Sequence, residues 1–96
     1  MWANIRVGNN SILEWASTNG HLGIVKILIE HGCNIHVEND FAIKSASKNG
    51  HLEVVKYLIS KNANIHADND TAVRLALKYG HLEIVKVLIE HGAKIN

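Results

Sequence analysis

Seven histidines, a single cysteine and two runs of Asx and acidic residues are the groups in this 96-residue chain that could support chemistry. His21, His51 and His81 recur at one fixed spacing, which invites a metal reading. A zinc ion draws its nitrogen ligands to about 2.0–2.1 Å. Side chains on neighbouring layers of packed helices start roughly 10 Å apart. One column of rings would therefore have to converge strongly, and a turn-capping role is expected instead. His31 and His91 fall where helical patterns end, and a protonated ring there complements the helix dipole. Cys33 shares its column with Ala63 and Ala93 and is read as a small buried packing residue, since no nucleophile signature surrounds it. Glu38-Asn39-Asp40 and Asp68-Asn69-Asp70 resemble the start of a calcium loop, but the required glycine and distal glutamate are missing. They read as helix caps. The same cap column generates the glycosylation tripeptides Asn9-Asn10-Ser11 and Asn69-Asp70-Thr71. No metal, cofactor or catalytic residue is expected.

What must position these groups is a repeat. Gly20-His21-Leu22, Gly50-His51-Leu52 and Gly80-His81-Leu82 lie in register, and so do Asn4/Asn34/Asn64, Ala16/Ala46/Ala76, Val25/Val55/Val85 and Leu28/Leu58/Leu88. A fixed period within about 20–50 residues marks a stack of supersecondary units. In the middle copy, Phe41–Lys48 places Ile43, Ala46 and Ser47 on one helical face, and Gly50 supplies a left-handed cap. From Leu52 to Ser60, the residues Leu52, Val55, Leu58 and Ile59 form an apolar stripe widened by Val54 and Tyr57. Such a stripe fits a helix covered on both sides by its equivalents. Helices this short do not persist alone, since roughly 12–15 residues is already marginal in water. Stacking must stabilise them, with Ala46 marking a close approach within the pair.

Composition agrees. The apolar fraction of 47% supplies a core, and ten Lys/Arg against nine Asp/Glu leave a net charge of +1 that selects no partner. No apolar run approaches the roughly 18 residues of a membrane span, and no leader pattern opens the chain, so a reducing cytoplasmic setting is expected.

The unit resembles the ankyrin repeat through Thr71-Ala72-Val73-Arg74, Gly80-His81-Leu82, Ile84-Val85-Lys86-Val87-Leu88-Ile89 and Gly92-Ala93-Lys94-Ile95-Asn96. The resemblance implies an all-α solenoid of three stacked helix-turn-helix units, six short helices in all. It covers residues 1–96 as one domain, with units near 1–30, 31–60 and 61–90 and a residual exit loop over 91–96. Two departures stand out. The period is about three residues short, the loss falling in the return loop, so stunted fingers are expected. The usual Thr-Pro-Leu-His box has no proline, and its histidine is replaced by Glu14, Lys44 and Arg74. Phrases such as Asn49-Gly50-His51-Leu52-Glu53-Val54-Val55-Lys56-Tyr57-Leu58-Ile59 are similar to arrays encoded by giant DNA viruses of amoebae, which implies a host protein as partner in the host cytoplasm.

The family resemblance further implies a non-enzymatic protein-binding scaffold that uses the concave face of the first helices. The columns that differ between copies nominate Trp15, Asp40, Phe41, Lys44, Ser45, Lys48, Asp70, Thr71, Arg74, Lys78 and Tyr79 as partner-binding residues. Asp40 and Asp70 are expected to neutralise Lys44 and Arg74 four residues on, leaving Lys48 and Lys78 without partners and one end of the face mildly basic. Two alternatives compete: a spacer cut from a longer array, and a weak nucleic-acid binder acting through the basic first-helix face. The near-neutral net charge argues against the latter. Met1-Trp2-Ala3-Asn4-Ile5 aligns with an exit loop, and the last helix keeps its apolar residues without the polar exchange of a capping unit. Self-association through uncapped terminal repeats is therefore expected.

Overall fold

A computed structural model describes the backbone of residues 5–95 and the side chains of residues 12–95. The exit-loop match at Met1–Asn4 and the cap side chains Asn9 and Asn10 lie outside the described residues. Six helices follow in order: α1 (Ile5–Thr18), α2 (Leu22–Glu30), α3 (Val37–Lys48), α4 (Leu52–Ser60), α5 (Ala67–Lys78) and α6 (Leu82–Glu90). The described residues contain no strand. First helices α1, α3 and α5 pack side by side as one layer, and α2, α4 and α6 form the layer behind them. The stack extends 43 × 19 × 19 Å. No described helix is long and apolar enough to cross a membrane.

The core runs unbroken along this axis. Leu13, Ala16, Val25, Ile43, Ala46, Val54, Val55, Leu58, Val73, Ala76, Ile84 and Leu88 are all buried in one cluster. Ala46 is fully buried, as its place between paired helices requires. Exposure along one column shows which neighbour covers it. Ile24 and Ile27 are exposed in the first unit, while Val54 and Ile84 in the same column as Ile24 are covered. Leu82 and Ile89 are exposed in the last unit, while Leu52 and Ile59 are partly buried against the core. Each second helix is thus sealed from both sides only when it has two neighbours. The outer face carries the expected Glu53–Lys56 pair at 3.9 Å, a contact worth about 0.2–0.5 kcal/mol.

Ser17 and Ser47 are fully buried, and neither hydroxyl has a hydrogen-bond partner. A buried hydroxyl left unpaired costs about 1–3 kcal/mol. Ser47→Ala removes that cost and raises helix propensity, so a gain of about 1 kcal/mol is expected in urea unfolding.

The return loop holds the main departure from expectation. In place of a helix cap, Glu38, Asn39 and Asp40 adopt left-handed backbone (φ 52, 58 and 58°), and Asp68, Asn69 and Asp70 repeat it (φ 56, 60 and 62°). Neither first helix carries a side-chain cap bond. Asn and Asp visit this region more readily than other L-residues, which explains five of the six positions. Asp40 is buried, and its carboxylate accepts the Asn64 N–H at 2.8 Å and faces His36 Nδ1 at 3.0 Å. Asn39 Nδ2 donates to Asp68 Oδ1 at 2.7 Å. The left-handed turn therefore aims its side chains backward and across to the next unit, not into its own helix. Glu38 is the one position with no Asx chemistry. Glu38→Gly relieves its strain, and chemical denaturation should register a stabilisation of about 1 kcal/mol.

Candidate concave-face site

A sequence glycine and a histidine build each joint between units. Gly20 and Gly50 turn the chain at φ 75° and 81°, and the next unit's histidine ring occupies the space a side chain on either would need. His51 Nε2 bonds the Thr18 carbonyl at 2.8 Å, and His81 Nε2 bonds the Lys48 carbonyl at 3.0 Å. In units two and three the Gly-His-Leu histidine is thus an inter-unit staple, and none of His21, His51 and His81 makes a cap bond to α2, α4 or α6. His31 and His91 do act at helix C-termini, through Nδ1 to the Ile27 and Val87 carbonyls at 2.8 and 2.9 Å. No three His, Cys, Asp or Glu side chains converge as a metal ion would need, among the described residues. Burial pushes the Cys33 thiol above its ordinary range, as befits packing in an alanine column.

The joints hold α1, α3 and α5 in parallel and leave a groove of about 480 Å³ along them. Phe41, Lys44, Ser45, Lys48 and Thr71 line it together with Thr18, Asn49 and Leu75. These last three belong to columns that differ between copies, which is the sequence signal for them. Ser45 is buried at the groove floor, where its hydroxyl and that of Thr18 sit 2.6 Å apart. Phe41 is 37% exposed.

The remaining nominated residues divide. Asp40 is buried and engaged with His36 and Asn64, which withdraws it from the surface. Asp70 faces His66 Nδ1 at 2.5 Å. Neither acid meets the cation four residues on, because the left-handed turn directs both back to the preceding histidine. Lys44 instead pairs with Asp68 of the following unit. Thr71 Oγ1 donates to the Asp68 carbonyl at 2.5 Å. Arg74 is exposed. Lys48 and Lys78, expected without partners, both place their ammonium groups over the Tyr79 ring, at 5.7 and 5.5 Å from its centroid. Trp15 lies outside the groove. Half exposed, it tilts against His21 with ring centroids 4.8 Å apart.

One cluster escapes the repeat logic. Lys26 and Lys61 stand over Tyr57 at 5.8 and 5.7 Å on the second-helix layer. Burial, and then Glu30, pushes the Tyr57 hydroxyl up. Lys26 reaches this ring from the preceding unit, a contact that no single-unit pattern displays.

Two glycine-turned joints, three in-register hairpins and a shared core establish a repeat architecture, and the family comparison decides which. A family model described as ankyrin repeats, in three copies, matches residues 13–96. The chain belongs to the ankyrin repeat family. A search of curated proteins gave no significant match. In this ankyrin array left-handed turns at 38–40 and 68–70 lead into the first helices of units two and three. Ankyrin repeats generally serve as protein–protein interaction modules and are typically non-enzymatic.

Proposed function

We propose that this ankyrin array is a non-enzymatic scaffold that binds a protein partner along the concave face of α1, α3 and α5. The observation that supports it is the groove across all three first helices. Its lining differs from copy to copy at Phe41/Thr71, Ser45/Leu75 and Thr18/Lys48, while Ala16/Ala46/Ala76 beneath is constant and fully buried. Stacked repeats create the extended surfaces that such proteins use for binding, and variation over a constant frame leaves these positions free of structural constraint. The similarity of several phrases to amoebal giant-virus arrays favours a host protein in the cytoplasm as that partner.

The test compares the wild-type chain with a Phe41→Ala/Lys48→Glu/Tyr79→Ala variant in pull-down from amoeba lysate. Circular dichroism checks beforehand that the variant is folded. The wild type is expected to retain specific proteins that the variant loses, since truncating interface anchors commonly costs about 2 kcal/mol or more each. Identical retained proteins for both chains overturn the assignment to this face.

A further inference from the structure

If the concave face of α1, α3 and α5 binds a partner, the groove's lining sets the chemistry of the segment it receives. Its floor is mainly apolar, and its two hydroxyls face one another. Phe41 and the half-buried Leu75 supply the hydrophobic surface, and the Thr18 and Ser45 hydroxyls bond one another. An apolar side chain entering there releases water from Phe41 and Leu75, while the two hydroxyls keep their bond to one another.

The rim is unbalanced in charge. Lys44 is held by Asp68, Asp70 faces His66, and Asp40 is buried against His36 and Asn64, so the three aspartates of units two and three are engaged internally. Lys48, which lines the groove, and Lys78, which shares the Tyr79 ring with it, remain, as does the exposed Arg74 of α5. Among the described residues none of these three has a carboxylate within 4 Å. Tyr79 gathers two of them, with both ammonium groups over one ring. Attraction to the ring's electron-rich face positions each lysine, yet two like charges on one ring leave an uncompensated positive potential.

We infer that the groove receives an acidic polypeptide segment, with an aliphatic or aromatic side chain seated against Phe41 and Leu75 and neighbouring carboxylates meeting Lys48 and Lys78. Preplaced cations reduce the ordering cost of binding, and complementary charge at the rim sets specificity and association rate. A nucleic acid fits less well. Three cations neutralise few phosphates, and the Tyr79 ring is already engaged by ammonium groups instead of standing open for a base.

Fluorescence anisotropy with short labelled probes tests this. The probes are a peptide with a central Phe flanked by Glu, its Glu→Gln counterpart, its Phe→Ser counterpart, and an oligothymidine of matching length. The acidic Phe peptide should bind roughly tenfold more tightly than either counterpart. Lys48→Glu/Lys78→Glu should weaken it roughly tenfold, and so should raising salt from about 50 to about 300 mM. Amide shifts in NMR should centre on Phe41, Lys48 and Leu75. Equal binding of the Gln peptide with shifts at those residues overturns the acidic assignment but leaves the concave-face reading standing. Shifts confined to the second-helix layer overturn both. Binding absent for every peptide at about millimolar concentration, or tighter binding of the oligothymidine, overturns the acidic-segment proposal.

Discussion

Gly50→Ala is expected to destabilise the array by about 2–3 kcal/mol, whereas Gly80→Ala costs only about 1 kcal/mol. Both glycines hold positive φ, 81° and 79°, so the backbone strain of adding a side chain is common to the two. Their surroundings differ. A Cβ on Gly50 would stand 2.7 Å from His81 Cε1 and 2.8 Å from His81 Nδ1, while one on Gly80 meets nothing within 4 Å. Relief at Gly50 requires the His81 ring to swing away, which breaks its bond to the Lys48 carbonyl. Urea unfolding of both variants measures the difference. In a His81→Ala background the excess cost at Gly50 should vanish, because the obstructing ring and the bond it makes are already gone. An unchanged penalty in that background would show that the joint is not built by this ring.

Leu58→Ala should lower stability by about 3–5 kcal/mol, near the upper end for a leucine truncation. Leu58 is fully buried in the middle unit, which has neighbours on both sides and so cannot collapse freely into the space. Leu28 occupies the same column with 8% of its surface exposed at the first unit, and Leu28→Ala should cost about 1 kcal/mol less. A domain of this length has only about 5–14 kcal/mol in total, so the Leu58 change removes a large share of it. Its effect should also spread. Hydrogen exchange should rise in α2 and α6 as well as in α4, because each unit is stabilised mainly by the ones beside it. Protection lost from α4 alone would argue that the units fold independently.

The residues that repeat were the legible part of this fold. The apolar stripe from Leu52 to Ser60 coincides with α4, and the pattern from Phe41 to Lys48 coincides with the right-handed part of α3. Both follow from spacing alone, because helical periodicity is written within one unit. The left-handed turns were not legible. Asn and Asp favour helix caps and left-handed backbone for related reasons, the short side chain bonding locally in either case. What decides between them at Asp40 is the amide of Asn64, 24 residues away. The same limit hid the true partner of Lys44. Local spacing suggested Asp40, but the backbone turn carries that carboxylate off and the next unit supplies Asp68. Of the candidate site, the varying columns pointed to the groove lining. The gathering of Lys48 and Lys78 onto Tyr79 was not visible in advance, since it joins two units through the geometry of the turn.

At both stapled joints the histidine is received by a main-chain oxygen, that of Thr18 in one case and of Lys48 in the other. Any amino acid offers that oxygen. The histidine's bond consequently makes no demand on the side chain at the position that accepts it, hydroxyl in one unit and ammonium in the next. Substitution at either position therefore leaves the histidine's acceptor in place, and what is lost is only what the side chain itself holds, the Ser45 hydroxyl at Thr18 and the Tyr79 ring at Lys48.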